Sequence, residues 1–134
     1  MNTHGTSLTV LIAEDEMMIG MALEDALTEA GYTIAGLFAT CSTALEWLNK
    51  HRVDAAVIDF ILRDGNSVEL LRELKTRGVP ILLHSGLDEV PAEFRELPFV
   101  IKPTALDQVI NALDKLMLWK DKAASGEHPP SPGV

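Results

Sequence analysis

The chain has 134 residues, 47% of them apolar and 23% charged, and a formal net charge of −9. That length suits one ordinary domain with its own core. The acidity argues against a nucleic-acid grip, which needs clustered lysine and arginine, and no apolar run reaches the ~18 residues of a membrane span. The opening MNTHGTSLTV lacks the charged and apolar regions of a secretory leader, and the single Cys41 allows no internal disulfide. The expected compartment is therefore the cytoplasm.

Short apolar runs alternate with helical patterns along the chain. Leu8–Ala13 predicts a strand, followed by a helix on the spacing of Met18, Ala22, Leu23, Ala26, Leu27 and Ala30 that Gly31 stops. Met17, Met18 and Met21 read as packing residues of that helix. Tyr32–Phe38 is a second strand, and Thr43-x-x-Glu46 reads as a capping box opening a second helix. Ala55–Phe60 is apolar apart from Asp59, as in a strand covered on both faces. Asn66-x-x-Glu69 caps a third helix carrying Val68, Leu71 and Leu74, which Gly78 and Pro80 end before the strand Pro80–His84. Leu87–Leu97, with Pro91 and few regularly spaced apolar residues, predicts a short or mobile fourth helix. Pro98–Ile101 is the fifth strand, and Thr104, with Asp107, caps a last helix on Leu106, Val109, Ile110, Leu113, Leu116 and Met117. The expected organisation is a flexible start over 1–7, one domain over 8–119 and a disordered, proline-rich tail over 120–134.

This alternation predicts a doubly wound α/β fold, a parallel sheet with right-handed crossovers and helices on both faces. In such a sheet the strand ends share one edge, where ligands bind. Glu14-Asp15, Asp59, Ser85 and Lys102-Pro103 each stand just past a predicted strand, or at its end. Adjacent carboxylates repel, and a hard cation relieves the repulsion; Mg²⁺ suits one or two carboxylates, several waters and a phosphate oxygen. Asp59, fixed by the sheet, is placed to act as a nucleophile towards a phosphoryl group. Lys102 and Ser85 supply an ammonium and a hydroxyl for its equatorial oxygens, and Pro103 fixes the loop presenting Lys102, the isomer of their peptide bond being open from sequence.

These residues resemble the receiver domain of bacterial two-component response regulators, with the chemotaxis-type fold, over roughly residues 8 to 119. The resemblance rests on the acidic pair in AEDE, Asp59 ending VIDF, Ser85 in LLHSG and the Lys102-Pro103 pair in FVIKP. It implies a five-stranded sheet of flavodoxin-like order 2-1-3-4-5. It implies that Asp59 is the phosphoacceptor for a sensor histidine kinase or histidine phosphotransferase. Glu14, Asp15, Asp59 and a backbone carbonyl at Phe60 or Ile61 would hold Mg²⁺. Ser85 and Phe99 would be the switch pair, reshaping the face of the fourth helix, fifth strand and fifth helix for a downstream protein partner. The segment FILRDGNS lacks the methionine-proline pair common in the family, and Ile61 and Leu87 are apolar where the family tunes dephosphorylation. The general cast is similar to stand-alone receivers of alphaproteobacteria.

The expectation is a single-domain response regulator, not an enzyme in its own right, a monomer or weak homodimer with no nucleic-acid or membrane partner. The alternatives are a phosphorylation-independent interaction module and a Mg²⁺-dependent phosphohydrolase that uses Asp59. Against the second stands Ile61, where a hydrolase of that kind needs an acid. His84 reads as a packed strand-end histidine and Cys41 as a small buried residue.

Overall fold

In the computed structural model, residues 8–86, 90–103 and 105–124 are described. Five strands, β1 (Thr9–Ala13), β2 (Thr33–Phe38), β3 (Ala55–Ile58), β6 (Ile81–Ser85) and β7 (Phe99–Ile101), form one parallel sheet in the order β2-β1-β3-β6-β7. Counted within that sheet alone, this is the expected 2-1-3-4-5 order. Two further short strands, β4 (Ile61–Leu62) and β5 (Gly65–Asn66), make an antiparallel ribbon directly after Asp59.

Why the strands are nearly all apolar is plain from their two faces. Side chains alternate across a strand, and Leu11 and Ala13 enter one core while Val10 and Ile12 enter the other. The first core is closed by α2 (Cys41–Leu48) and α3 (Val68–Thr76), through Ala44, Leu48, Leu70, Leu71 and Leu74. The second is closed by α1 (Met17–Glu29) and α4 (Leu106–Ala124), through Leu23, Leu27, Val109 and Leu113. Each fully buried leucine contributes about 1.5–3 kcal/mol of transfer free energy, so the stripes on the four helices fix which face each helix covers. Tyr32, at the entry to β2, donates its hydroxyl hydrogen bond to Asp114 of α4. Burial first and this carboxylate second push the phenol pKa up.

Local details differ from the sequence reading at several points. The second helix starts at Cys41 with Thr40 as its N-cap, accepting from the Thr43 amide at 3.2 Å, so the cap lies one turn before the predicted Thr43-Glu46 box. The N-cap position of α3 is Ser67, one residue past the predicted Asn66, and its side chain makes no cap hydrogen bond; Asn66 accepts from the Val68 amide at 3.1 Å. Met17, Met18 and Met21 are not packing residues: they are 49%, 86% and 54% exposed. Helical steps of 100° put Met18 and Met21 opposite the stripe of Gly20, Leu23 and Leu27 that faces the core. In place of a fourth α-helix, the described residues between β6 and β7 hold one 3₁₀ turn, Ala92–Phe94, with Phe94 fully buried. Pro91, extended at φ −62° and ψ 157°, stands immediately before that turn. Residues 1–7, where a flexible start was expected, 87–89, which include Leu87, Thr104 with its predicted capping role, and residues 125–134 lie outside the described residues. The last helix continues to Ala124, beyond residue 119 where the domain was expected to end.

Candidate functional site

Three strand ends are extended by one residue each through ordinary sheet hydrogen bonds. The Glu14 amide donates to Phe38 O at 2.9 Å, the Asp59 amide to Ala13 O at 2.9 Å, and the Lys102 amide to Ser85 O at 3.0 Å. The functional side chains are thus mounted on the ladder itself, with no flexible loop between support and group. Such mounting holds a site to the tolerance that chemistry needs.

The geometry is compact. Lys102 Nζ donates to Asp59 Oδ2 at 2.6 Å and to Glu14 Oε2 at 3.0 Å. Glu14, Asp15 and Asp59 each offer a carboxylate oxygen, and these oxygens all lie within 4.8 Å of one another. Glu14 is 1% exposed and Asp59 6%, while Asp15 is half-buried. Burial pushes the Glu14 carboxyl up, against the opposing pull of Lys102. Burial also works against the Lys102 charge, but the hydrogen bonds to Asp59 and Glu14 outweigh it and raise the lysine. The ammonium is therefore firmly held between two carboxylates.

Does this donor set suit Mg²⁺? Glu14 Oε1 is buried and makes no hydrogen bond, although it lies in ionic contact with Lys102 Nζ at 2.8 Å. An all-oxygen cluster with a buried carboxylate oxygen that makes no hydrogen bond fits a hard divalent cation, and Mg²⁺ is bound through one or two carboxylates plus waters and a phosphate oxygen. The residues present fit the group.

The other predicted residues sit around this centre. Ser85 is buried as the last residue of β6, and Phe99, partly buried, packs on the α2–α3 core from the start of β7. Their pairing partners are Ile101 and Leu83, so both belong to the same two-stranded corner. Lys102-Pro103 is a cis peptide bond. Ile61 is 42% exposed, and its amide donates to Asp59 Oδ1 at 3.2 Å. His84 is 4% exposed, and neither ring nitrogen has a hydrogen-bond partner among the described residues. Burial first, and the Lys102 charge second, push its pKa down.

Two residues escaped the sequence reading. Ser67 is fully buried, and its hydroxyl spans 3.0 Å to both Asp59 O and Phe60 O, pinning the backbone on either side of the Asp59–Phe60 junction. Asp64, at the tip of the ribbon, accepts from the amides of Cys41 at 2.8 Å and Ser42 at 3.1 Å. Asp-Gly is a turn signal in itself, but nothing in it points to the contact with a helix start some twenty residues earlier.

The sequence profile of the response regulator receiver domain matches residues 10–114. The chain belongs to that family. Among solved structures, the solution structure of SdrG from Sphingomonas melonis Fr1 superposes with a TM-score of 0.74 at 34% identity, covering 85% of this chain and 99% of that one. The receiver domain of PhyR from Erythrobacter litoralis gives 0.77 at 28% identity, covering 85% of this chain and 92% of that domain. The transcriptional regulatory protein MalR of Bacillus subtilis is 28% identical over 114 residues, 79% of this chain. The receiver spans only 48% of MalR, about half the length of that relative. Among the described residues, no helix of the receiver is long and apolar enough to cross a membrane.

Proposed function

We propose that this receiver is a phosphorylation-controlled switch in which Asp59 accepts a phosphoryl group from a histidine kinase or histidine phosphotransferase. The single observation that supports it best is the Asp59 carboxylate, held by the β3 end and ion-paired to Lys102 at 2.6 Å, beside two further carboxylates. One Asp59 oxygen attacks phosphorus; the bond from phosphorus to the donor imidazole nitrogen breaks, and the imidazole leaves with the electron pair. Glu14, Asp15, Asp59 and the Ile61 carbonyl would hold Mg²⁺, which when bound neutralises charge on the phosphoryl oxygens. Lys102 is placed to leave Asp59 for a phosphoryl oxygen, and Ser85 to donate to another, since transfer depends on positioning and on stabilising the equatorial oxygens. Ser67, through the Asp59 and Phe60 carbonyls, keeps the backbone fixed while the side chain changes charge.

The readout is a change in protein–protein contact. Ser85 and Phe99 share the β6–β7 corner with Lys102, so a hydroxyl drawn to the phosphoryl group is transmitted to β7 and α4. Those elements expose Ile101 and Leu118, which are 47% and 56% accessible. The protein would act in the cytoplasm as a monomer or weak homodimer, and it assists its own phosphorylation and dephosphorylation without being a turnover enzyme.

Phosphotransfer from candidate kinases, or from acetyl phosphate with Mg²⁺, tests this by intact mass. One phosphoryl group per chain is expected, and none on Asp59→Asn. Lys102→Ala should fold and take up label while losing the response at Ser85 and Phe99. Label that persists in the Asp59→Asn chain would overturn the assignment.

A further inference from the structure

The segment after Asp59 is not a free loop. Its strands β4 and β5 pair Ile61 with Asn66 and Leu62 with Gly65, and Leu62 is buried in the α2–α3 core. Strands of two residues are far below the usual length and are marginal on their own pairing. The tip of the ribbon is instead fastened at the corner between β2 and α2. The Arg63 amide donates to Ala39 O at 3.0 Å, and the Asp64 carboxylate takes the Cys41 and Ser42 amides. Thr40 takes the next one, Thr43, so the opening amides of α2 are shared between its own cap and a residue of the ribbon.

We infer that Asp64 is a positioning residue for the phosphoacceptor, holding Ile61 against Asp59 by tying the ribbon to the first turn of α2. This rests on the functional reading above and deepens it. The chain of contact is short. Asp64 fixes the tip, the ribbon pairing carries that constraint to Ile61, and the Ile61 amide holds Asp59 Oδ1 at 3.2 Å. The carbonyl of the same residue is the one assigned to Mg²⁺, so its direction follows from the same anchorage. Asp64 itself is exposed, its carboxylate accepts from the Cys41 and Ser42 amides, and it is not one of the three clustered carboxylates, Glu14, Asp15 and Asp59. The amide hydrogen bonds at the α2 N-terminus hold its carboxyl below the ordinary range, which fits a carboxylate engaged as a latch. Outer-shell groups that orient a ligand are worth 10- to 100-fold in metal affinity in other sites.

The full chain, titrated with Mg²⁺ and then with beryllofluoride, tests this by amide NMR, alongside Asp64→Ala, Asp64→Asn and Thr40→Ala. Asp64→Ala should weaken both affinities by about tenfold and speed hydrogen exchange at the Ile61 amide even before Mg²⁺ is added. Asp64→Asn, which keeps an acceptor oxygen, should recover part of both. Thr40→Ala loosens the same helix turn without untying the ribbon, so it should leave both affinities and Ile61 exchange as in the unaltered chain. If Asp64→Ala matches the unaltered chain, or Thr40→Ala weakens binding as much, Asp64 acts only on helix stability and the inference is overturned. An unaltered chain that binds neither Mg²⁺ nor beryllofluoride overturns the functional reading and this inference together.

Discussion

At the scale of single residues, the site is a problem of unbalanced charge and unmet hydrogen bonds. Three carboxyl groups meet one ammonium, and a buried imidazole stands close enough to feel both Lys102 and Asp59. His84 is held below its ordinary value of 6.5, so between the folded and unfolded values the unfolded chain binds the extra proton. Stability must then rise with pH through that window and fall as pH drops below the unfolded value. Glu14 works in the opposite sense from 4.5 upward, because its folded value is raised above that. His84→Leu keeps the volume and removes two buried nitrogens that have no hydrogen-bond partner among the described residues. It should stabilise the fold by about 1 kcal/mol at neutral pH and by more at pH 5.5, flattening the acid side of the stability curve. Urea unfolding across pH 5 to 8 measures this; an unchanged acid slope would show that His84 does not titrate with folding. The polar residues at strand ends were legible in the sequence because a charged group straight after an apolar run has only the sheet edge to go to. Ser67 and Asp64 were not, since each acts on the backbone of a residue that the local pattern does not point to.

At the scale of elements, the four α-helices and the five strands of the parallel sheet followed from periodicity. The expected fourth helix is instead a 3₁₀ turn among the described residues, and the β4–β5 ribbon was not read from the sequence. The deviations have local causes. Helix α2 begins at Cys41 because Thr40 and Asp64 together satisfy its first amides, whereas Thr43 lies inside the helix. The methionines of α1 carry a helical spacing, but the stripe through Gly20, Leu23 and Leu27 won the core, leaving them outside. Gly65, at φ +121°, permits the tight reversal of the ribbon, a conformation side-chain-bearing residues rarely adopt. Between β6 and β7 the described residues enter the core through Phe94, fully buried, with Val90 and Leu97 beside it, in place of a helical stripe. Phe94→Ala should therefore cost about 3–5 kcal/mol, as much as a residue in the middle of the sheet. A denaturation midpoint shifted by far less would mean that this segment folds independently of the core.

For the molecule as a whole, a cation held by the acidic cluster of Glu14, Asp15 and Asp59 would couple ligand binding to folding. A cation that binds the folded chain alone stabilises it by mass action, about 2.7 kcal/mol at a concentration 100 times its dissociation constant. Adding Mg²⁺ should thus raise the thermal midpoint of the unaltered chain, EDTA should reverse the rise, and Asp15→Asn should remove most of it. Equal midpoints with and without Mg²⁺ would mean that the three carboxylates do not act as one cation site. The sequence by itself determined the parallel α/β sheet and which polar residues meet at its edge, because burial on two faces dictates continuous apolar strands and leaves charges only at their ends; the strand order came with the family resemblance. Only the tertiary structure decided that Lys102 bridges Asp59 and Glu14, that Asp64 clasps a distant helix start and that a 3₁₀ turn anchored by Phe94 links β6 to β7. Those outcomes depend on distances between segments far apart in the chain, and no local pattern encodes a distance.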